Sequence, residues 1–397
     1  MTSPRTTGLY IHMPFCRRRC AYCDFDAVVG MASRIPEYVD AVIREVDFLS
    51  TATGNPELES VYFGGGTPTC ASEGVVRLLD AVRTAFPVAP AAEITVEANP
   101  ESAGDETLMR LAAAGVNRLS LGVQSFDDER LTRLGRLHDS ACARDAVQRA
   151  RSLFPEVNLD LIFGLPGTPV DAWQRDLEGA VALDVDHVSA YCLTVEAGTP
   201  LAEAVRRGKA PPPDEDLEAA HLDLTSSFLS AHGYERYEIS NHARAGRRCR
   251  HNLMYWENRP CLGAGLGAAA FWEGTRWKNE TSFQGYLRSV AGRKERAFPP
   301  GPAASFSEHL NPEAALGESI LVGLRLLRGV DLEALGARHG VNAHAVFGRD
   351  IRRLLEDGHL KQRASRLALT PSGLRFADRI LAAFTLPGDR QQERIRG

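Results

Sequence analysis

The chain has 397 residues, of which 44% are hydrophobic and 24% charged, so it can form two or three domains and is unlike a disordered or fibrous protein. Its 46 Lys and Arg residues against 51 Asp and Glu residues give a net charge of −5, which excludes a global basic field that attracts nucleic acid or anionic lipid. Because no apolar run approaches the roughly 20 residues of a membrane span, we expect no membrane crossing.

The first residues and the cysteines predict the compartment. A targeting peptide would have to precede Tyr10, and residues 1–8 have neither an apolar core nor an Arg- and Ser-rich amphipathic pattern. We therefore expect the chain to remain in the cytoplasm, where a disulfide framework is not expected. The eight cysteines are then interpreted as metal ligands, nucleophiles or small hydrophobic residues.

Strand-like and helix-like patterns alternate through the first half of the chain. The predicted strands are 9–13, 60–63, 93–97, 118–123, 157–163 and 187–193, and the predicted helices are 37–49, 75–86, 105–114, 142–153 and 170–183. This alternation predicts an α/β fold with a parallel sheet, either open or closed into a full or partial barrel. Both architectures place their chemistry at the carboxyl ends of the strands.

The rest of the chain predicts a change of architecture. A helix at 214–231 and a strand at 236–239 precede a segment rich in Arg, aromatic residues and Gly, and a Pro-rich linker follows at 299–307. Helices at 313–327, 332–339 and 343–356, a hairpin at 360–370 and a helix at 371–384 then resemble a winged-helix domain. We therefore predict a core at 1–240, a second segment at 241–310 and a winged-helix-like, α-rich C-terminal domain at 311–397.

Three cysteines lie within one short loop after the first predicted strand. The spacing Cys16-x3-Cys20-x2-Cys23 lets one loop bind an iron–sulfur cluster and leave one iron open to another ligand. An alternative is a zinc site completed by His12, because Cys3His is a known tetrahedral ligand set. The tight spacing of the three cysteines favours the cluster, since zinc knuckles usually draw on two separated pairs.

Longer motifs add a family resemblance. They are Tyr-Ile-His-Met-Pro-Phe-Cys from residue 10, Tyr-Phe-Gly-Gly-Gly-Thr-Pro-Thr from 62, Gly-Val-Gln-Ser-Phe from 122 and Leu-Asp-Leu-Ile-Phe-Gly-Leu-Pro-Gly from 159. With the cysteines, they resemble the radical S-adenosylmethionine (SAM) superfamily, and within it the oxygen-independent coproporphyrinogen III oxidase family. The resemblance implies a partial (β/α)6 barrel with a [4Fe-4S] cluster on the three cysteines and SAM on the open iron.

The resemblance also implies which residues contact SAM. A Gly-rich turn lets the backbone approach the SAM amino group, and carboxylates and an amide suit its ammonium and ribose groups. Each residue taken alone could instead serve as a helix cap or form an ordinary ion pair. The implied SAM contacts are Tyr10, Gly65, Gly66, Thr67, Glu97, Gln124, Arg136 and Asp160.

Two departures point to one branch of this family. The oxidases carry a fourth cysteine where this chain has Phe25, and a long segment where this chain has nine residues before Tyr10. Both departures put decarboxylation of coproporphyrinogen III in doubt. The sequence Cys-Asp-Phe at 23–25 resembles instead the haem chaperone branch, HemW, which keeps the cluster and SAM but lacks the oxidase activity.

A second motif supports that branch. The sequence His-Asn-Leu-Met-Tyr-Trp resembles the branch's His-Asn-x-x-Tyr-Trp haem-binding motif, which implies haem contacts from His251, Asn252, Tyr255 and Trp256. A neutral imidazole can ligate haem iron, and in a helix His251 and Tyr255 would share one face. The alternative is a histidine packed among aromatic residues of the core.

The expected function is therefore haem binding and transfer to an acceptor protein, with a one-electron donor such as a flavodoxin or ferredoxin; whether SAM is cleaved stays open. One alternative is a radical SAM enzyme acting on coproporphyrinogen III or another tetrapyrrole. Another is a DNA-binding regulator that reads DNA with Arg349, Arg352 and Arg353 of the helix predicted at 343–356. The net charge of −5 argues against nucleic acid as a partner.

Overall fold

The computed structural model describes residues 6–292 and 297–386. Residues 1–5, within the stretch where we predict no targeting signal, and residues 387–397 of the predicted third domain lie outside this description. In the two described ranges, no helix combines the length and the apolar character that a membrane crossing requires.

The first part of the chain folds as repeated strand–helix units. In chain order, the elements are β1 (Thr7–Met13), β2 (Phe15–Cys16), β3 (Val28–Val29), α1 (Ile35–Thr53), β4 (Leu58–Gly65), α2 (Ser72–Ala85), β5 (Val88–Ala98), α3 (Asp105–Ala113), β6 (Arg118–Gln124), α4 (Asp128–Leu134), α5 (Ser140–Leu153), β7 (Glu156–Phe163), α6 (Val170–Ala182) and β8 (His187–Cys192). Strands β1, β4, β5, β6, β7 and β8 are adjacent and parallel in that order. The six predicted strands are confirmed and differ from prediction only at their ends.

The two faces of these strands have different environments. On β6, Leu119, Leu121 and Val123 are fully buried in the core shared with the helices. The alternate residues of β6, from Arg118 to Gln124, line a cavity inside the barrel. Because side chains alternate along a strand, an apolar outer face and a polar inner face follow from one period-two pattern.

The following segment extends the same sheet at both edges. Its elements are α7 (Pro200–Arg206), α8 (Glu215–Ala231), β9 (Glu235–Arg236), β10 (Asn241–Ala243), α9 (Arg250–Trp256), β11 (Cys261–Ala264), β12 (Ala269–Trp272), β13 (Thr275–Asn279), α10 (Phe283–Ala291) and β14 (Ala304–His309). Strand β10 pairs antiparallel with β8, and β11 pairs parallel with β1. Residues of the predicted second domain therefore lie in the sheet of the first, and we retain the boundary at 240 as a division by motif.

The strand predicted at 236–239 is wrong beyond its first residue. Strand β9 ends at Arg236, and β10 begins only at Asn241. The buried Glu238 side chain accepts a hydrogen bond from the Ser240 N–H at 2.9 Å, and this local bond turns the chain between the two strands.

The C-terminal domain has the predicted helices and hairpin in the predicted order and a core of its own. One short strand after the first helix was not predicted, and that helix ends at Gly323, before the predicted end at 327. The elements are α11 (Pro312–Gly323), β15 (Val330–Asp331), α12 (Leu332–His339), α13 (Ala343–Glu356), β16 (Leu360–Arg363), β17 (Arg366–Leu369), α14 (Pro371–Arg375) and α15 (Ala377–Leu381). The helix predicted at 371–384 is interrupted at Phe376, whose backbone leaves the helical region with φ −118° and ψ 27°. Residues 377–381 then form a second short helix.

Candidate functional site

A cavity of about 370 Å³ opens beside the cysteine loop and continues into the barrel. The three cysteines Cys16, Cys20 and Cys23 line it, and so does Asn252 of α9. Helix α9 contacts Ser60 on β4 and Glu93 on β5. Ser60 comes earlier on its strand than the Gly-rich turn, and Glu93 comes earlier than Glu97, whereas the turn and Glu97 lie at the carboxyl ends of these strands. The cysteine loop and α9 therefore occupy opposite ends of one barrel interior.

Polar groups hold the cysteine loop at the carboxyl end of β1. The Thr67 hydroxyl lies 3.4 Å from the Cys16 sulfur, and the Arg136 guanidinium donates to the Cys20 sulfur at 3.4 Å. Burial raises the pKa of the Cys16 and Cys23 thiols, so binding iron must release their protons. The nearby guanidinium favours the thiolate that an iron–sulfur cluster needs.

The zinc alternative does not fit this arrangement. Both ring nitrogens of His12 are occupied, one by the Tyr10 hydroxyl at 3.0 Å and the other by the Asp26 carbonyl at 3.0 Å. Across the described ranges, no three His, Cys, Asp or Glu side chains converge closely enough to hold a single metal ion. His12 is therefore not free to serve as the fourth ligand that a Cys3His zinc site needs.

The residues predicted to contact SAM come together beside these thiols. Tyr10 is the exception, since it packs behind the cavity with its ring stacked on Tyr62 at 6.1 Å. Those that line the cavity are Gly65, Gly66, Thr67, Glu97, Gln124, Arg136 and Asp160.

Two of these residues have buried polar atoms that are unsatisfied within the described residues. The Gln124 Oε1 and the Arg136 Nε are buried and have no hydrogen-bond partner in the part of the chain that the structure describes. Gln124 also has a φ of 69°, which is uncommon for a residue other than glycine. Unsatisfied buried groups and local backbone strain concentrate at binding sites, and both fit a polar cofactor such as SAM.

Glu97 supplies a carboxylate that forms no close ion pair with the described residues. Its side chain accepts hydrogen bonds from the Tyr62 hydroxyl at 2.8 Å and the Gly65 N–H at 3.1 Å. Burial is the main cause that raises the pKa of Glu97 to about 7. The ammonium group of SAM would place a positive charge against this carboxylate and favour its ionised form.

The predicted haem motif lies on α9, and its first residue is enclosed. His251 is 1% exposed, and its ring nitrogens contact the Ser60 hydroxyl at 2.8 Å and the Tyr255 hydroxyl at 3.1 Å. Its ring also stacks on Tyr62, with centroids 5.1 Å apart. Burial lowers the pKa of His251 to about 4, so the imidazole is neutral, the form that ligates iron.

The other members of the motif face different surroundings. Asn252 lines the cavity, whereas the Trp256 ring lies 4.4 Å from the Arg325 guanidinium of the C-terminal domain. Glu93 fixes the start of α9, because its carboxylate accepts the N–H groups of Arg250 at 2.8 Å and His251 at 3.1 Å. The motif therefore joins the barrel interior to the C-terminal domain.

Part of the cavity lining was not predicted from the sequence. Polar residues at alternate positions of β6, β7 and β8 were the available signal, because one polar face on an otherwise apolar strand indicates a lined interior. The missed residues are Arg118, Ser120, Asn158 and Ser189.

Comparison with known proteins shows the relationships of the chain. Residues 10–178 match the radical SAM superfamily, and residues 310–376 match the HemN C-terminal domain. The chain is 40% identical to "Heme chaperone HemW" of Mycobacterium tuberculosis (strain ATCC 25618 / H37Rv), covering 94% of this chain and 93% of the relative. It is 35% identical to "Heme chaperone HemW" of Bacillus subtilis (strain 168), covering 94% and 98%.

A solved structure matches nearly the whole chain. Coproporphyrinogen III oxidase (HemN) from Escherichia coli superposes with a TM-score of 0.82 and 22% identity, covering 96% of this chain and 91% of that chain. This similarity confirms the predicted fold of a radical SAM core followed by an α-rich C-terminal domain.

Proposed function

The chain belongs to the HemW family of radical SAM proteins, and on this premise we propose that it binds haem and transfers it to an acceptor protein. Cys16, Cys20 and Cys23 would hold a [4Fe-4S] cluster, and the polar residues beside them would bind exchangeable SAM. When bound, these two cofactors supply one-electron redox chemistry. The protein's own groups position them and exclude water from the barrel.

The main support for the proposal is that the cysteine motif and the haem motif both contribute side chains to one cavity. The cluster cysteines line it, and so does Asn252 of the haem motif. A chain of contacts also links the two ends of the barrel interior, since Tyr62 donates to Glu97 and stacks on His251. This arrangement supports a site in which SAM and haem are bound close together.

Haem ligation by His251 requires a local change. Its Nε2 contacts the Tyr255 hydroxyl, so iron can replace that hydroxyl only if Tyr255 or α9 moves. The neutral state of the imidazole favours the exchange, because no proton has to leave the ring. We therefore assign His251 as the iron ligand of the haem-bound state.

A titration of haemin into anaerobically reconstituted protein tests the proposal, with the Soret band as the signal. We expect stoichiometric binding that weakens at least about tenfold in His251→Ala, with iron and sulfide content unchanged. His344→Ala, which removes an exposed histidine of α13, is the matched control for adventitious ligation and should bind like the wild type. Equal affinity of His251→Ala and wild type would overturn the assignment.

The exposed arginines of the cysteine loop support an acidic electron donor, of the flavodoxin or ferredoxin class, as a partner. Arg17, Arg18 and Arg19 are exposed beside the cluster ligands. Opposite charges accelerate protein encounter. We expect Arg18→Glu to slow reduction of the cluster by reduced flavodoxin and to make the rate less sensitive to salt; an unchanged rate would contradict this partner surface.

The C-terminal domain gives no support to the DNA-binding alternative. Arg353 of α13 forms ion pairs with Asp350 at 3.2 Å and Asp357 at 3.9 Å, which offset its charge. The domain instead matches the HemN C-terminal domain, so the family relationship accounts for its presence.

A further inference from the structure

A buried arginine lies inside the barrel and has no hydrogen-bond acceptor among the described residues. Arg118 is the first residue of β6; it is 2% exposed, and its side chain lines the cavity. Within the described residues, its guanidinium makes neither a hydrogen bond nor a close ion pair with the protein. A guanidinium carries five N–H donors and stays protonated, so a buried one normally has acceptors.

The acidic groups near Arg118 offset its charge but leave its donors free. Burial raises the pKa values of Glu97 and Asp160, and the charge of Arg118 opposes that rise. For Glu93, burial is outweighed by the charge of Arg118 together with the N–H groups at the start of α9, so its pKa is lowered. The oxygens of these three carboxylates are already occupied by other donors: those of Glu93 by the N–H groups of Arg250 and His251, those of Glu97 by Tyr62 and Gly65, and those of Asp160 by Ser120 and Asn158. Arg118 therefore lies among acidic groups whose oxygens are bonded elsewhere, and it retains unused donors that face the cavity.

A second free donor lies on the neighbouring helix. Asn252 of α9 also lines the cavity, and its carboxamide forms no hydrogen bond with the described part of the protein. Glu93 places the two close together. Thr95, two residues after Glu93 on β5, pairs with Arg118 on β6, and the Glu93 carboxylate accepts the N–H groups of Arg250 and His251 at the start of α9. A guanidinium with an amide beside it matches the planar, two-oxygen geometry of a carboxylate.

We propose that Arg118 and Asn252 form a carboxylate-binding subsite that anchors a propionate side chain of haem. This inference rests on the proposed function and deepens it, because Asn252 follows His251 directly in the haem motif. A propionate is a slender arm that can enter the barrel interior beside α9 while the macrocycle stays outside. SAM also carries a carboxylate, and the test must separate these two sources.

The test compares haemin with haemin dimethyl ester, in which both propionates are uncharged. We expect the reconstituted wild type to bind haemin about tenfold more tightly than the ester, as one charge-assisted contact provides. Arg118→Gln should lose this preference because haemin binding alone is weakened. Its SAM affinity should stay within about twofold of wild type in equilibrium dialysis at about pH 9, where Glu97 is ionised with or without the charge of Arg118. Arg118→Lys should recover part of the preference, because it keeps the charge and loses the planar fork.

Arg18→Gln is the matched control, since it removes one positive charge from an exposed residue lining the same cavity. It should keep the haemin preference. Equal weakening of haemin and ester in Arg118→Gln would overturn the subsite, and so would a loss of SAM affinity in place of haemin affinity.

Two further outcomes separate the inference from the proposed function. If wild type prefers haemin and Arg118→Gln keeps that preference, the subsite is wrong and haem binding stands. If wild type binds neither ligand, the proposed function fails and the subsite fails with it. Should Arg118→Gln not fold, two measurements still test the subsite. A wild type that binds haemin and its ester with equal affinity overturns the subsite, and so does an Arg118→Lys variant that keeps the full wild-type preference.

Discussion

His251 is held by a hydroxyl that competes with haem iron. Its Nε2 and the Tyr255 oxygen are 3.1 Å apart, and a neutral hydrogen bond of this kind contributes about 1 kcal/mol. Tyr255→Phe keeps the ring and removes the competitor, so we expect haemin to bind about fivefold more tightly in a Soret titration. Tyr234→Phe, which removes a buried hydroxyl bonded to the Val185 carbonyl, is the control. Weaker binding by Tyr255→Phe would show that the hydroxyl itself supports haem.

Glu97 gives SAM binding a pH dependence. Its pKa of about 7 means that the side chain is neutral at lower pH and attracts the ammonium of SAM only when ionised at higher pH. SAM affinity should therefore fall by up to about tenfold per pH unit as the pH decreases below 7, and Glu97→Gln should bind weakly with a flat profile.

A second glutamate supplies the control for this pH profile. Glu45 also has a pKa raised by burial to about 7, but it accepts from the Gly265 N–H and the Tyr286 hydroxyl away from the cavity. Glu45→Gln should leave the pH dependence of SAM affinity unchanged. A flat wild-type profile, measured by equilibrium dialysis between pH values on either side of 7, would refute the role of Glu97.

Single residues also show what the sequence could predict at the site. The cysteines and the Gly-rich turn carry their chemistry in local spacing, and the structure brings them to one cavity. Arg118 and Asn252 are distant in the chain, and no local pattern relates them. Only the placement of α9 against the barrel brings them together, so sequence reasoning could not pair them.

Among the elements, α9 depends on a strand of the barrel. The Glu93 carboxylate binds two N–H groups at the start of this short helix, where the helix dipole favours negative charge. Glu93→Gln should lower the free energy of unfolding by about 1 to 2 kcal/mol. The variant should also bind haemin several-fold more weakly, while it keeps the cluster and its affinity for SAM.

The control removes a helix cap of similar kind elsewhere. Asp214 accepts the Leu217 N–H at the start of α8, and Asp214→Asn should cost a similar or smaller free energy without changing haemin affinity. Chemical denaturation and the Soret titration measure the two effects. Loss of haemin affinity in both variants would mean that general destabilisation is the cause.

Elements set by local pattern were predicted, and those set by distant contacts were not. The six barrel strands are apolar on their outer face and bounded by turns, so their existence followed from periodicity. The turn at Glu238 depends on a buried carboxylate and on Arg325 of the C-terminal domain, 3.7 Å away. Such a contact leaves no signal in the residues around Glu238.

For the whole molecule, the haem motif connects the barrel to the C-terminal domain. Arg325 stacks on Trp256 and pairs with Glu238, so it joins both parts. Arg325→Ala should lower the free energy of unfolding by about 2 to 3 kcal/mol, because it removes a cation–π contact and leaves a buried carboxylate unpaired. Chemical denaturation measures this change.

An exposed pair at the same interface is the control for Arg325. Arg328 pairs with Glu257 near the surface, and Arg328→Ala should cost less than about 1 kcal/mol. Equal effects of the two variants would contradict the idea that the contact with Trp256 fastens the C-terminal domain to α9.

We propose that this chain carries haem, and Phe25, where the oxidases have a fourth cysteine, predicts that it does not oxidise coproporphyrinogen. One anaerobically reconstituted preparation, divided between haemin and coproporphyrinogen III with SAM and a reductant, tests both statements. We expect one haem bound per chain and no mass change of coproporphyrinogen after prolonged incubation. Decarboxylation of coproporphyrinogen without stoichiometric haem binding would contradict both.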